Sequence, residues 1–123
     1  MFELSVREHF DAAHALRGYQ GRCENLHGHR FEAVVAVRGT TRNDIGIVYD
    51  FTELKAHLRA VLGELDHRNL NETPPFDVQN PSSENLAVFV YDAMAERLAG
   101  APVAIASVTV YESPDAGVVY TPE

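Results

Sequence analysis

Seven residues, Cys23-Glu24-Asn25-Leu26-His27-Gly28-His29, put two imidazoles, a thiol and a carboxylate into one short stretch of the 123-residue chain. An i, i+2 spacing places both histidines on one face of a strand, whereas on a helix they would diverge. Two imidazoles aimed together begin a metal site. A third ligand would complete the arrangement of catalytic zinc, in which three protein groups leave one position open. His14, which closes Phe10-Asp11-Ala12-Ala13-His14, is the candidate, because an antiparallel neighbour of the second strand is where a third ligand can approach. Taken alone, a His-x-His pair is more often a solvent-facing pair in a turn, since a metal site needs at least three convergent ligands. Cys23 has three readings: a fourth ligand, a base or nucleophile beside the metal, or a small buried hydrophobe. Its polar neighbours Arg22 and Glu24 favour reactivity.

Two further positions carry chemistry. Asp66 and His67 adjoin one another where a helix ends, as an acid–imidazole pair or as a solvated helix terminus. Glu112 shares a strand face with Val108 and Val110, where a carboxylate is either an edge residue or an anchor for a ligand. His9 and His57 lack partners by spacing and read as structural or solvent-facing.

The elements that must position these groups follow from periodicity. Phe2, Leu4 and Val6 alternate with Glu3, Ser5 and Arg7, the period of a half-buried strand running to about Phe10. Phe31, Ala33, Val35 and Val37 define a second strand ending near Gly39. Asp50 is a helix N-cap with Glu53 three residues on, followed by Phe51, Leu54, Leu58, Val61, Leu62 and Leu65 at helical spacing. Prolines and asparagines between Leu70 and Pro81 exclude regular structure. Ser82 or Ser83 opens a second helix with the stripe Leu86, Phe89, Val90, Ala93, Met94 and Leu98, stopped by Gly100. Val103 to Tyr111 and Val118 to Tyr120 form a hairpin across a Ser-Pro-Asp-Ala-Gly turn. The order ββααββ has no βαβ alternation. It predicts an α+β fold, one domain over residues 1–123, with a four-stranded antiparallel sheet and both helices on one face.

Bulk properties narrow the function. A net charge of −8 opposes a broad nucleic-acid face. No apolar run approaches the roughly 18 residues of a membrane span, and the first ten residues lack the pattern of a signal peptide. A single cysteine excludes an intrachain disulfide and suits a reducing, cytoplasmic setting.

Taken together, Phe-Asp-Ala-Ala-His, Cys-x3-His-Gly-His, Gly-Ile-Val-Tyr-Asp-Phe at 46–51, Leu-Asp-His-Arg-Asn-Leu-Asn at 65–71, Asn-Pro-Ser-Ser-Glu-Asn at 80–85 and Tyr-Glu-Ser at 111–113 resemble the 6-pyruvoyltetrahydropterin synthase superfamily. The resemblance points in particular to the bacterial 6-carboxy-5,6,7,8-tetrahydropterin synthases of queuosine biosynthesis. It implies Zn²⁺ on His14, His27 and His29, Cys23 as catalytic base, Asp66 and His67 as a proton-donating relay, and Glu112 as the anchor of the pterin ring. It implies 7,8-dihydroneopterin triphosphate as substrate. It also implies the tunnelling fold, in which three subunits join their sheets into a barrel and two such rings stack into a hexamer with sites between subunits. Glu24 adds a second pattern, since Glu-x2-His-Gly-His resembles a sister group that makes 6-hydroxymethyl-dihydropterin. A non-catalytic pterin-binding member of the same fold, with zinc in a structural role, is the competing reading.

Overall fold

Alternation along the first segment is realised over its full length. In the computed structural model, which describes residues 1–21 and 24–123, strand β1 spans Phe2–His14 and pairs antiparallel with β2, His27–Gly39. The strand thus runs past Phe10 and takes in His14, so this histidine sits on the sheet and not after it. The register runs from Phe2 opposite Gly39 to His14 opposite His27, with Ala12 opposite His29. The three histidines therefore share the face that also buries Phe10, Phe31, Val6 and Val35.

Helix α1 covers Phe51–Leu62, and the Asp50 carboxylate caps it by accepting the Thr52 N–H. The chain then turns through Leu65, which is fully buried beyond the helix end, into a two-residue strand β3, Arg68–Asn69, that lies parallel to β1. Helix α2, Ser83–Arg97, starts at Ser82, whose hydroxyl accepts the Asn85 N–H. It gives way to Gly100, whose φ of 84° suits the residue that ends the helical segment. Strands β4, Ala104–Ser113, and β5, Ala116–Tyr120, close the chain as a hairpin.

The sheet order is β3-β1-β2-β4-β5. Five strands, one of them parallel, replace the four antiparallel strands expected, because two residues carry no periodicity to read. The α+β class holds. Side chains of α1 and α2 cover one face of the sheet, with Leu54, Leu58, Leu86, Val90 and Met94 among the fully buried members of the core. The other face carries cross-strand ion pairs between Arg7 and Glu32, Arg30 and Asp11, and Arg38 and Glu3. No helix among the described residues is long and apolar enough to cross a membrane.

Candidate metal centre

The helix-covered face ends in a cluster of imidazoles at the end of the β1–β2 ladder where residues 15–26 join the two strands. Ring centroids of His14 and His27 lie 4.6 Å apart, those of His27 and His29 4.7 Å, and those of His14 and His29 5.3 Å. Phe31 forms the floor, edge-on to His14 at 5.2 Å and stacked on Phe10 at 5.0 Å. Glu112 arrives from β4. It is the extra residue where Tyr111 pairs with Gly117 and Ser113 with Ala116. Such a bulge re-aims a side chain, and the Glu112 Oε1 lies 3.0 Å from His14 Nε2 and 3.3 Å from His29 Nε2. One ligand atom from each of the four residues lies within 4.8 Å of the others.

Protons on two of the rings are fixed by what each Nδ1 faces. His14 Nδ1 is 2.7 Å from the Pro81 carbonyl, and His27 Nδ1 is 2.7 Å from the Asn25 carbonyl. A carbonyl only accepts, so both Nδ1 atoms carry the hydrogen. Each Nε2 is left to face the centre, buried and with no hydrogen-bond partner among the described residues. A buried polar atom without a partner is costly. A lone pair held 3.0 Å from a carboxylate oxygen also calls for something positive between them. His29 is held below the usual imidazole range, chiefly by burial and further by its two histidine neighbours, with Glu112 opposing. Neutral imidazoles oriented through their second nitrogen are the form in which histidine ligates metals. The donor set suits Zn²⁺.

Asp66 and His67 form a second group, separate from the first. Asp66 accepts the Asp11 N–H at 2.9 Å and faces His67 Nδ1 at 2.9 Å, while the His67 N–H donates to the Asp11 carbonyl at 2.6 Å. The Asp11 bond, with the His67 contacts adding to it and burial opposing, holds the Asp66 carboxyl below the usual range. His67 has a φ of 59°, a left-handed conformation uncommon outside glycine. Both Asp66 and His67 bond the main chain of Asp11, so the pair sits at the edge of β1 where β3 joins it, in a group distinct from the three histidines.

The residues 3–123 match the family model described as 6-pyruvoyl tetrahydropterin synthase. The chain belongs to the 6-pyruvoyl tetrahydropterin synthase family. Among its relatives, a dihydroneopterin monophosphate aldolase of Pyrococcus furiosus is 38% identical over 115 residues, covering 94% of this chain and 93% of the relative. A 6-carboxy-5,6,7,8-tetrahydropterin synthase of Synechocystis is 38% identical over 109 residues, covering 85% of this chain and 81% of that one. The 6-pyruvoyl tetrahydropterin synthase structure from Caenorhabditis elegans superimposes with a TM-score of 0.87 at 28% identity, covering 99% of this chain and 96% of its own.

Of the residues singled out in this family member, His14, His27, His29 and Glu112 come together, and Asp66 meets His67. Glu24 is exposed, its N–H donating to the Gly21 carbonyl. Cys23 lies outside the described residues. His9 is exposed, and His57 accepts from Arg97 Nε at 3.1 Å between the two helices. Pro81 was not foreseen, since a backbone carbonyl leaves no mark in a sequence. The only signal near it is the Asn-Pro step.

Proposed function

We propose that this chain is a zinc-dependent enzyme converting 7,8-dihydroneopterin triphosphate to 6-carboxy-5,6,7,8-tetrahydropterin, with loss of triphosphate and cleavage of the side chain, in the queuosine and 7-deazapurine pathway. The observation that carries this reading is the buried Nε2 of His14 and of His27, without a hydrogen-bond partner among the described residues, each with its Nδ1–H committed to a carbonyl. His14, His27 and His29 hold the metal. Zinc supplies Lewis acidity toward the hydroxyls of the substrate side chain, acidifying the carbon that loses its proton.

Glu112 accepts the adjacent N–H groups of the pterin edge through its two oxygens. In the ligand-free chain one of these oxygens leans on the histidines, and the side chain is 29% exposed, so a ligand can reach it. Cys23 removes the proton from the substrate carbon. Asp66 holds the His67 Nδ1–H, leaving Nε2 as the end that delivers a proton. That relay, at the edge of β1, forms a group separate from the histidines. We read the site as completed by a second copy within a cytoplasmic hexamer of two stacked trimers, a closure that would also pair the outer strands of the sheet.

A second product has a specific observation behind it. The aldolase of Pyrococcus furiosus is as similar as the carboxy synthase and covers more of the chain. Glu24 beside Cys23 is then a second base that directs side-chain cleavage to 6-hydroxymethyl-dihydropterin. Mass spectrometry of products formed from 7,8-dihydroneopterin triphosphate separates the two. The carboxy product from wild type, lost in Cys23→Ala, supports the main reading. The 6-hydroxymethyl-dihydropterin product retained in Cys23→Ala and lost in Glu24→Ala supports the dual one, and binding without any product leaves a non-catalytic pterin-binding protein.

A further inference from the structure

Two asparagines remain without a role, Asn71 of the Leu-Asn-Glu turn and Asn80 of Asn-Pro-Ser-Ser-Glu-Asn. Each makes the same pair of bonds. Asn71 Oδ1 accepts the Ala15 N–H at 2.8 Å while its Nδ2 donates to the Ala15 carbonyl at 2.9 Å. Asn80 Oδ1 accepts the Arg17 N–H at 2.9 Å while its Nδ2 donates to the Arg17 carbonyl at 2.9 Å. Residues 15 and 17 are alternate positions, where one edge of an extended chain offers its paired N–H and C=O groups. The two amides therefore stand in for a neighbouring strand just beyond the end of β1.

The chain they hold starts one residue after His14. The loop they belong to ends at Pro81, whose carbonyl receives the His14 Nδ1–H. The relation between these two points is braced further. The Asn85 Nδ2, from the first turn of α2, donates to the Asn80 carbonyl at 2.8 Å. The Arg17 guanidinium donates to the carbonyl of Phe76, a fully buried core residue, at 2.8 Å. Arg17 is thereby spent on the loop. Only a side chain with one donor and one acceptor on the same planar group can make these paired bonds, so neither a carboxylate nor an aliphatic residue substitutes.

We propose that Asn71 and Asn80 are positioning residues of the metal centre, which by locking residues 15–17 to the loop before Pro81 fix the proton and the aim of His14 and so set the affinity for a zinc-like ion. The proposal rests on the metal-centre reading above. Partners that orient a ligating histidine are worth about 10–100-fold in metal affinity when removed.

The test is a chelator competition for Zn²⁺, with the visible spectrum of bound Co²⁺, on wild type, Asn71→Asp, Asn80→Asp and Leu98→Ala. Leu98 is a core residue beyond α2, and its truncation lowers the melting temperature without touching the brace. Both asparagine variants should bind zinc about 10–100-fold more weakly and show an altered cobalt spectrum, while Leu98→Ala keeps wild-type affinity and spectrum. Asn80→Ser, which deletes both bonds without adding charge, replaces any aspartate variant that does not fold. Asparagine variants that melt lower yet keep wild-type zinc affinity and cobalt spectrum overturn the proposal. Wild type that takes up neither metal overturns the metal-centre reading itself, a different outcome.

Discussion

Glu112 and Asp66 are both carboxylates with an imidazole beside them, yet their surroundings assign them different work. Glu112 reaches the histidines through a bulge and stays partly open to solvent. Glu112→Gln should keep zinc stoichiometry, which depends on the three histidines, and weaken pterin binding by roughly 2–5 kcal/mol, the cost of truncating one side of a charge-assisted pair. Isothermal titration with a pterin ligand measures it, and unchanged affinity would reduce Glu112 to a strand-edge residue. Asp66 instead stabilises the fold through the Asp11 N–H. Its carboxyl titrates lower in the folded chain than in the unfolded one. Its contribution is therefore complete above the ordinary carboxylate value, 3.8, and is lost as pH falls through the depressed folded value. Urea midpoints of wild type and Asp66→Asn should accordingly converge as the solution is acidified from neutral to about pH 3. A gap that stays constant would mean that Asp66 carries no such linkage.

At the scale of elements, Phe31 couples core to site. It is fully buried, stacks on Phe10 and floors His14 and His29. Phe31→Ala should cost about 3–5 kcal/mol by urea unfolding, and Asp50→Ala about 1 kcal/mol by uncapping α1. Similar losses for the two would deny Phe31 its place in the core. The histidines were legible in the sequence because spacing of two on a strand is unambiguous about face, and the antiparallel register then carries His14 to His27. Both helices were legible from their stripes and caps. Strand β3 was not, because its pairing with Ala12 and Ala13 is created by the turn after α1. The bulge at Glu112 and the carbonyls behind His14 and His27 were equally silent, since each is a backbone relation that side-chain spacing does not encode.

For the whole molecule, the proposed roles of the Asp66–His67 pair and of the histidines, which form separate groups, require under our proposal that more than one chain build a site. Mixed oligomers of Cys23→Ala and His67→Ala, each inactive alone, should regain part of the wild-type rate, because some interfaces then unite an intact base with an intact relay. Mixtures as inactive as their parents would place both groups in one chain's own site. Every proposed role in the chemistry depends first on the metal centre. The most direct measurement is zinc per chain in wild type and in His29→Ala, by plasma mass spectrometry after dialysis. One zinc per chain in wild type and a sharp fall in His29→Ala is the expected result, and full occupancy in that variant would contradict it.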